Sequence, residues 1–534
     1  MTLTGAQIIT EVLTEQGVDT VFAYPGASVL GVFDALGDKA DALRVILPAH
    51  EQGGCHAADA YARVSGKCGV MIATSGPGAT NLVTGIANAY MDSVPLVAIT
   101  GNVPRSLMGR DSFQEVDICG VTMPVTKHGF LVQDIDSLAT TLREAFVIAM
   151  SGRPGPVLVD IPKDITEERT GYIPVGHYRV RAAAPPDEGA IRAASELIAR
   201  SKRPLLFCGG GAVNASAALR SFAERCSVPV AVSLMGLTAL PSTHPLMLGM
   251  IGMHGTPASH IAGERCDLLI SAGSRFSDRV AGNRRRFAPG AKLIHIDIDP
   301  SEFDKNVVSD IHIQGDAGAV LTRLTELVPP NAASGWADEL AELARSAPEK
   351  PDSPQYASPR GILRAVSEAA ADAIIVTDVG QHQMWTAQHY PFSMPRSFVT
   401  SGGLGAMGFG MGAAVGAKAA APHRPVVLIT GDGSLHMDMA EMAAAVTENL
   451  PVIVAVMNNN ALGMARQWQR MYFDARLRYT SPARQTDFVK LAEAFGAAGY
   501  RAHTTEEFSR AFRAALDAGR TALIDCRIDP DERV

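Results

Sequence analysis

Short apolar runs, each closed by Gly, Pro, Ser, Asp or Asn, alternate along this chain with stretches whose apolar residues recur every three or four positions. The runs lie at 18–24, 43–49, 69–75, 94–100 and 155–162, then at 203–211, 228–233, 266–274 and 291–300. A last group follows at 373–380, 397–401, 426–433, 451–459 and 521–526. Runs of this length, rich in Val, Ile and Leu on both faces, predict buried strands of parallel sheets. The second kind of stretch predicts amphipathic helices. Ile8, Ile9, Val12 and Leu13 share one face behind Thr4-Gly5-Ala6-Gln7, which reads as a capping box, and Gly17 supplies the stop. Further helices are expected near 29–36, over 51–64, from 188 to 201, and through Met439, Met442, Ala443 and Val446. Regular alternation of strand and helix predicts an α/β fold of doubly wound parallel sheets. Two polar stretches, 166–187 and 329–358, read as linkers; they leave domains at 1–165, 188–330 and 359–534.

Composition narrows the function classes. A chain of 534 residues is long enough for roughly three or four domains. Its net charge of −8 argues against a nucleic-acid or anionic-membrane surface. Cys55, Cys68, Cys119, Cys208, Cys226, Cys266 and Cys526 are odd in number and include no CxxC pair, which disfavours a disulfide framework or structural zinc. With no signal-peptide pattern, and with 402–417 too short and too glycine-rich for a membrane span, a soluble cytoplasmic protein is expected.

Candidate chemistry sits where the strands end. Asp432, in Gly431-Asp432-Gly433, closes one apolar run, and Asn458-Asn459 closes the next. Ligands of open parallel sheets bind outside the carboxyl ends of the strands. One carboxylate and one amide offer hard oxygen donors there, which suit Mg²⁺ rather than zinc. Such residues are also ordinary turn formers; the interval of 24 residues between Gly433 and Asn458 is what makes the pair specific. His50 and His56 are six apart rather than four, so no H-E-x-x-H zinc site forms around Glu51. Taken alone, Glu51 is a helix-start carboxylate favoured by the macrodipole.

That interval, together with the motifs at 61–101, 109–130, 244–256, 274–282, 294–306, 377–385, 402–410 and 458–468, resembles the acetolactate (acetohydroxyacid) synthase catalytic subunits, which are thiamine-diphosphate enzymes. The resemblance covers nearly the whole chain. It implies Mg²⁺ held by Asp432, Asn459 and the backbone carbonyl of Ala461. It implies thiamine diphosphate lined by Pro25, Gly26, Gly380, Gln381, His382, Gly405, Gly431, Gly433 and Ser434. Glu51 is assigned to the aminopyrimidine ring, where a carboxylate on N1′ favours the tautomer that removes the C2 proton. Met407 is assigned to the wedge that folds the two rings together. Methionine more often fills a gap in a core, but the glycines around it favour close approach to a ligand.

The same resemblance places Phe113, Gln114 and Lys127 near the reacting groups, and gives the acceptor pocket to Met464 and Trp468. Contact with one extra methyl would favour 2-oxobutanoate over pyruvate by about 1–3 kcal/mol at most. A pair four apart on a helix is equally a core pair. Around FAD the resemblance places Gly209, Gly210, Gly211, His254, Gly273, Arg275, Asp278, Arg279, Asp297 and Asp316. Arg284-Arg285-Arg286 reads as a solvated charge run. The chain contains no His-His pair, which fits a ligase that withholds protons from its donor fragment.

The activity implied is decarboxylation of pyruvate and ligation of the remaining two carbons to a second pyruvate or to 2-oxobutanoate, in valine and isoleucine biosynthesis. The assembly implied is a homodimer or homotetramer with a place for a small regulatory subunit. Glu51 of one copy would meet the diphosphate held by Asp432 of another. The rivals are another thiamine-diphosphate carboligase, a flavin-dependent pyruvate oxidase, or a catalytically weak paralogue that binds. Glu51 argues against glyoxylate carboligase, which lacks a glutamate there. Three departures from the family pattern stand out. Ala27 replaces a usual glycine, Ser277 replaces a common Asp, and the sequence stops at Val534 where relatives continue with a tail over the active site. A less covered site is expected from the last of these.

Overall fold

Three six-stranded parallel sheets carry the chain. The structure is a computed structural model that describes residues 1–177, 185–283, 287–330, 335–345, 355–482 and 484–534; the Arg284–Arg286 run lies outside them. In the first sheet the order is Arg44–Ile46, Thr20–Ala23, Gly69–Ala73, Leu96–Asn102, Pro156–Pro162, His128–Leu131. In the second it is Met247–Met250, Val230–Val232, Pro204–Cys208, Leu268–Ala272, Lys292–Asp297, Ile311–Gln314. The third runs Phe398–Val399, Ile374–Thr377, Val426–Gly431, Ile453–Asn458, Ala522–Arg527, Ala498–Ala502. In each sheet the chain reverses direction of travel beside its first central strand, and the crevice at that point opens at the carboxyl ends.

Every apolar run predicted from the sequence forms a strand. Within these three sheets the strands that the runs miss, His128–Leu131, Met247–Met250, Ile311–Gln314 and Ala498–Ala502, all lie at edges. These four mix exposed or half-buried positions with buried ones or lack buried ones altogether, so their sequences lack a continuous apolar run. The stretch expected to begin a linker at 166 is partly ordered. Arg169–Gly171 pairs antiparallel with Thr2–Thr4, and Gly5–Glu15 follows with the expected capping box between Thr4 and Gln7.

The helix expected through Met439 to Val446 is two helices, Asp432–Asp438 and Glu441–Thr447. At the break the carboxylate of Asp438 turns away to accept hydrogen bonds from Met411 N (2.7 Å) and Gly412 N (3.3 Å). It thereby satisfies the otherwise unpaired first amides of helix Gly410–Ala420.

That helix packs on Glu51–Ser65 and so joins the first sheet's layer to the third. The approach is backbone to backbone. A Cβ on Gly412 would lie 2.4 Å from the carbonyl oxygen of Gly53, and one on Gly416 would lie 1.9 Å from that of Ala57. Glycines four apart on one helix therefore meet carbonyls four apart on the other. Around this contact Cys55, Ala58, Met411, Ala414 and Phe409 are buried in a core shared by both sheets.

Candidate active site

Three adjacent strands of the third sheet end together. Ile374–Thr377 delivers Asp378 to Gln381, Val426–Gly431 delivers Asp432 to Ser434, and Ile453–Asn458 delivers Asn459 to Ala461. Asp432 is 6% exposed, its Oδ1 has no hydrogen-bond partner, and burial pushes its carboxyl up to about 6. The Asn459 side chain donates to Gln381 Oε1 (3.2 Å) and accepts from Ala461 N (3.1 Å). A buried carboxylate oxygen without a donor, beside amide and carbonyl oxygens, is a set of hard donors that fits a divalent cation. His382 stands against Gly431; burial drops its pKa to about 3, and its Nε2 is buried without a partner. A neutral imidazole with a free nitrogen can donate to, or accept from, a ligand at this edge.

The loop 402–410 closes over the same edge, held by buried carboxylates from two directions. Asp92, from the first sheet's layer, accepts from Gly402 N (3.0 Å) and Gly403 N (2.7 Å). Asp378 accepts from Gly408 N (3.0 Å) and Gly410 N (3.1 Å). Between these anchors Met407 is partly exposed, and its terminal methyl lies 3.8 Å from where a Gly433 Cβ would be. It is therefore no core methionine. Helix Gly463–Tyr472 begins directly above: a Cβ on Gly463 would lie 1.9 Å from Gln381 Oε1. That places Met464 and Trp468 on the helix that roofs the Asp432 edge. The ring of Trp468, 37% exposed, carries the guanidinium of Arg279 at 5.7 Å, a cation–π contact across to the second sheet's layer.

The end of the chain is docked on this roof. Gln381 donates to the Glu532 carbonyl (3.1 Å), Trp385 Nε1 to the Arg533 carbonyl (3.2 Å), and Val534 N to Gln467 Oε1 (3.2 Å). Asp531 pairs with Arg466 (3.3 Å) and with Arg470. Residues 531–534 thus clamp the helix Gln381–His389 to the helix Gly463–Tyr472.

Glu51 belongs to a second cluster, on the first sheet. It is 8% exposed and accepts from Asn81 Nδ2 at 2.9 Å. Gln114 packs against Gly76 in the left-handed region, with φ of +61°, where a non-glycine residue is strained. Phe113 beside it is 87% exposed. Gly26 sits on the Thr74 side chain, Pro25 and Ala27 are exposed, and Ser28 Oγ meets Thr74 Oγ1 at 2.8 Å. Lys127 is elsewhere: its ammonium group donates to the carbonyls of Ile148 and Ser151 (2.7 Å to the latter) at the end of helix Ile135–Met150. There it complements the helix dipole.

In the second sheet, Gly209 and Gly211 are fixed by Gly273. A Cβ on Gly209 would lie 2.0 Å from the Gly273 oxygen, so the turns after two neighbouring strands pack backbone to backbone, while Gly210 faces Met235. Arg275 follows, half-buried, and its side chain makes no hydrogen bond or ion pair to a described residue; burial lowers its pKa. Asp297, on the next strand, is pushed up to about 6 by burial. A strand-end glycine turn with an unpaired guanidinium fits an anionic dinucleotide. His254 is partly buried, Asp278 is exposed, and Asp316 caps helix Ala317–Leu327 through Ala319 N (2.9 Å). Sequence reasoning missed Asn81, Asp92, Asp378, Asp438 and Glu441, whose partners all lie far away in the chain. The only signal was an acid at the end of an apolar run, as at Asp378.

Models of the thiamine pyrophosphate enzymes match residues 3–121 (N-terminal TPP binding domain), 191–324 (central domain) and 378–526 (C-terminal TPP binding domain). The chain is similar to the acetolactate synthase large subunit of Parasynechococcus marenigrum, 45% identical over 99% of this chain and 88% of that one. It is 44% identical to the probable acetolactate synthase large subunit of Methanocaldococcus jannaschii, over 99% and 92%. It is 43% identical to the acetolactate synthase isozyme 2 large subunit of Escherichia coli, over 100% and 97%.

Proposed function

The chain belongs to the acetolactate synthase large subunits, within the thiamine pyrophosphate enzymes, and from that premise we propose how its residues divide the reaction. The substrates are 2-oxo acids: pyruvate as donor, and a second pyruvate or 2-oxobutanoate as acceptor. Bound thiamine diphosphate supplies the electron sink that decarboxylation of a 2-oxo acid requires. Asp432, Asn459 and the Ala461 carbonyl would hold Mg²⁺, with Gly380, Gln381, His382, Gly431, Gly433 and Ser434 around the diphosphate. Met407, partly exposed above Gly433, would support the fold of the cofactor. Glu51, buried and oriented by Asn81, would hold a proton at the pyrimidine nitrogen. Gly209, Gly211, Gly273, Arg275 and Asp297 would hold FAD. Two pyruvates giving 2-acetolactate and CO₂ exchange no net electrons, so the flavin is asked for no redox step.

The observation that carries the reading is the buried, unpartnered Asp432 oxygen beside Asn459 at the sheet edge, under a methionine loop held from both neighbouring layers. The cationic Arg279 over Trp468 suits the carboxylate that every 2-oxo acid acceptor carries. Glu51 and Asp432 sit on different sheets, and the third-sheet side chain that hydrogen-bonds the backbone just before Glu51 is Glu441, not Asp432. A second copy would therefore complete each site, and a homodimer is the least assembly. No helix among the described residues is long and apolar enough to cross a membrane, and all seven cysteines are unpaired, which supports a reducing, cytoplasmic setting.

The test is product formation from pyruvate with thiamine diphosphate, Mg²⁺ and FAD added. Acetolactate is the expected product, with no oxygen consumed beyond a trace. Stoichiometric oxygen uptake would instead make the chain a pyruvate oxidase, and no product at high protein concentration would overturn the reading.

A further inference from the structure

Through Glu441 the third sheet reaches the backbone that carries Glu51. Glu441 opens the helix Glu441–Thr447 and is 2% exposed. Its two carboxylate oxygens accept from His50 N (2.9 Å) and Ala49 N (3.1 Å), the two residues before Glu51. A Cβ on Gly53 would lie 2.2 Å from Glu441 Oε1, so the first turn of helix Glu51–Ser65 leaves room for this carboxylate and nothing larger. Beside it the turn is held by a local bond, His50 Nδ1 accepting from Gln52 N (3.1 Å), by Asn81 on the Glu51 carboxylate (2.9 Å) and by the close approach of Gly412 to Gly53.

Nothing in the packing of the core explains a charged group here. Burial, with the nearby Glu51 charge adding to it, lifts Glu441 to about 7. A buried acid beside another acid costs stability unless hydrogen bonds hold it. The two hydrogen bonds that do so fix the entry of the chain into Glu51. An apolar residue at 441 would take away the acceptors of the Ala49 and His50 N–H groups, which point at the buried end of the Glu441 side chain.

We propose that Glu441 is a positioning residue for Glu51, fixing the backbone that aims its carboxylate. The proposal rests on the reading of Glu51 given above. It also means that the element directly following the Asp432 helix sets the geometry of a residue that serves a different sheet's half-site.

The experiment compares Glu441→Gln and Glu441→Ala with Glu51→Gln. On cofactor-free protein, amide hydrogen exchange over 48–53 should quicken on the order of tenfold or more in Glu441→Ala, with the rest of helix Glu51–Ser65 unchanged. In the loaded enzyme, exchange of the thiamine C2 proton should slow on the order of tenfold in Glu441→Ala, while the Mg²⁺-diphosphate affinity stays within about threefold of wild type. Glu441→Gln keeps one acceptor oxygen and should fall between, which carries the test if the alanine variant does not fold. If Glu51→Gln slows C2 exchange and neither Glu441 variant does, the positioning role is overturned and the Glu51 reading stands. If Glu51→Gln itself leaves C2 exchange unchanged, the Glu51 reading fails and the proposal falls with it.

Discussion

Trp468 shows how one side chain can be legible in kind and not in setting. Its spacing from Met464 allows a core pair or a pocket wall. The structure puts it on the helix above Gln381 and Asn459, 37% exposed, under the guanidinium of Arg279. Shortening it removes a flat apolar wall without disturbing a core. In competition between 2-oxobutanoate and pyruvate, Trp468→Leu should reduce the preference for 2-oxobutanoate by about 1–2 kcal/mol of discrimination, read as the ratio of the two products. An unchanged ratio would remove Trp468 from the acceptor pocket. Asp432 and Asn459 were readable because their interval is a local fact of the chain. Asn81, Asp378 and Glu441 were not, because each gains meaning only from a partner brought near by folding. Lys127 is the reverse case: named for the site by resemblance, it is found closing the end of helix Ile135–Met150.

Among the elements, central strands were plain in the hydrophobic pattern and four of the six edge strands were not. His128–Leu131 has no fully buried position and Ile311–Gln314 only one, Ile313, which no apolar run can announce. The helix break after Asp438 was hidden for another reason. The helical period continues through it, but Asp438 is recruited to the amides of a different helix. From the sequence, the glycines of 402–417 served only to argue against a membrane span and, around Met407, for close approach to a ligand. Gly412 and Gly416 are instead a packing stripe against Glu51–Ser65. Alanine at 416 gains about 1 kcal/mol of helix propensity, yet its methyl would lie 1.9 Å from the Ala57 oxygen. Gly416→Ala should therefore destabilise the protein by about 1–3 kcal/mol net, measured by urea unfolding. A variant as stable as the wild type would show that the two helices separate freely.

At the scale of the whole molecule, the two residue clusters proposed as half-sites sit on two sheets that share one core. Glu51 and Asn81 form one of them; Asp432, Asn459 and Met407 form the other. The fold class and the three-sheet plan were evident in the sequence. What folding adds is that each chain's own Glu51 segment is engaged by Glu441; on the reading proposed above, the Asp432 edge is met from a second copy. The most direct measurement mixes two variants, Glu51→Gln and Asp432→Ala, each inactive alone, under conditions where subunits exchange. A mixed dimer then holds one doubly damaged site and one intact site. At equal amounts half of the dimers are mixed, so acetolactate formation should return to about a quarter of the wild-type rate. No recovery, with exchange of subunits verified, would contradict a site shared between two copies.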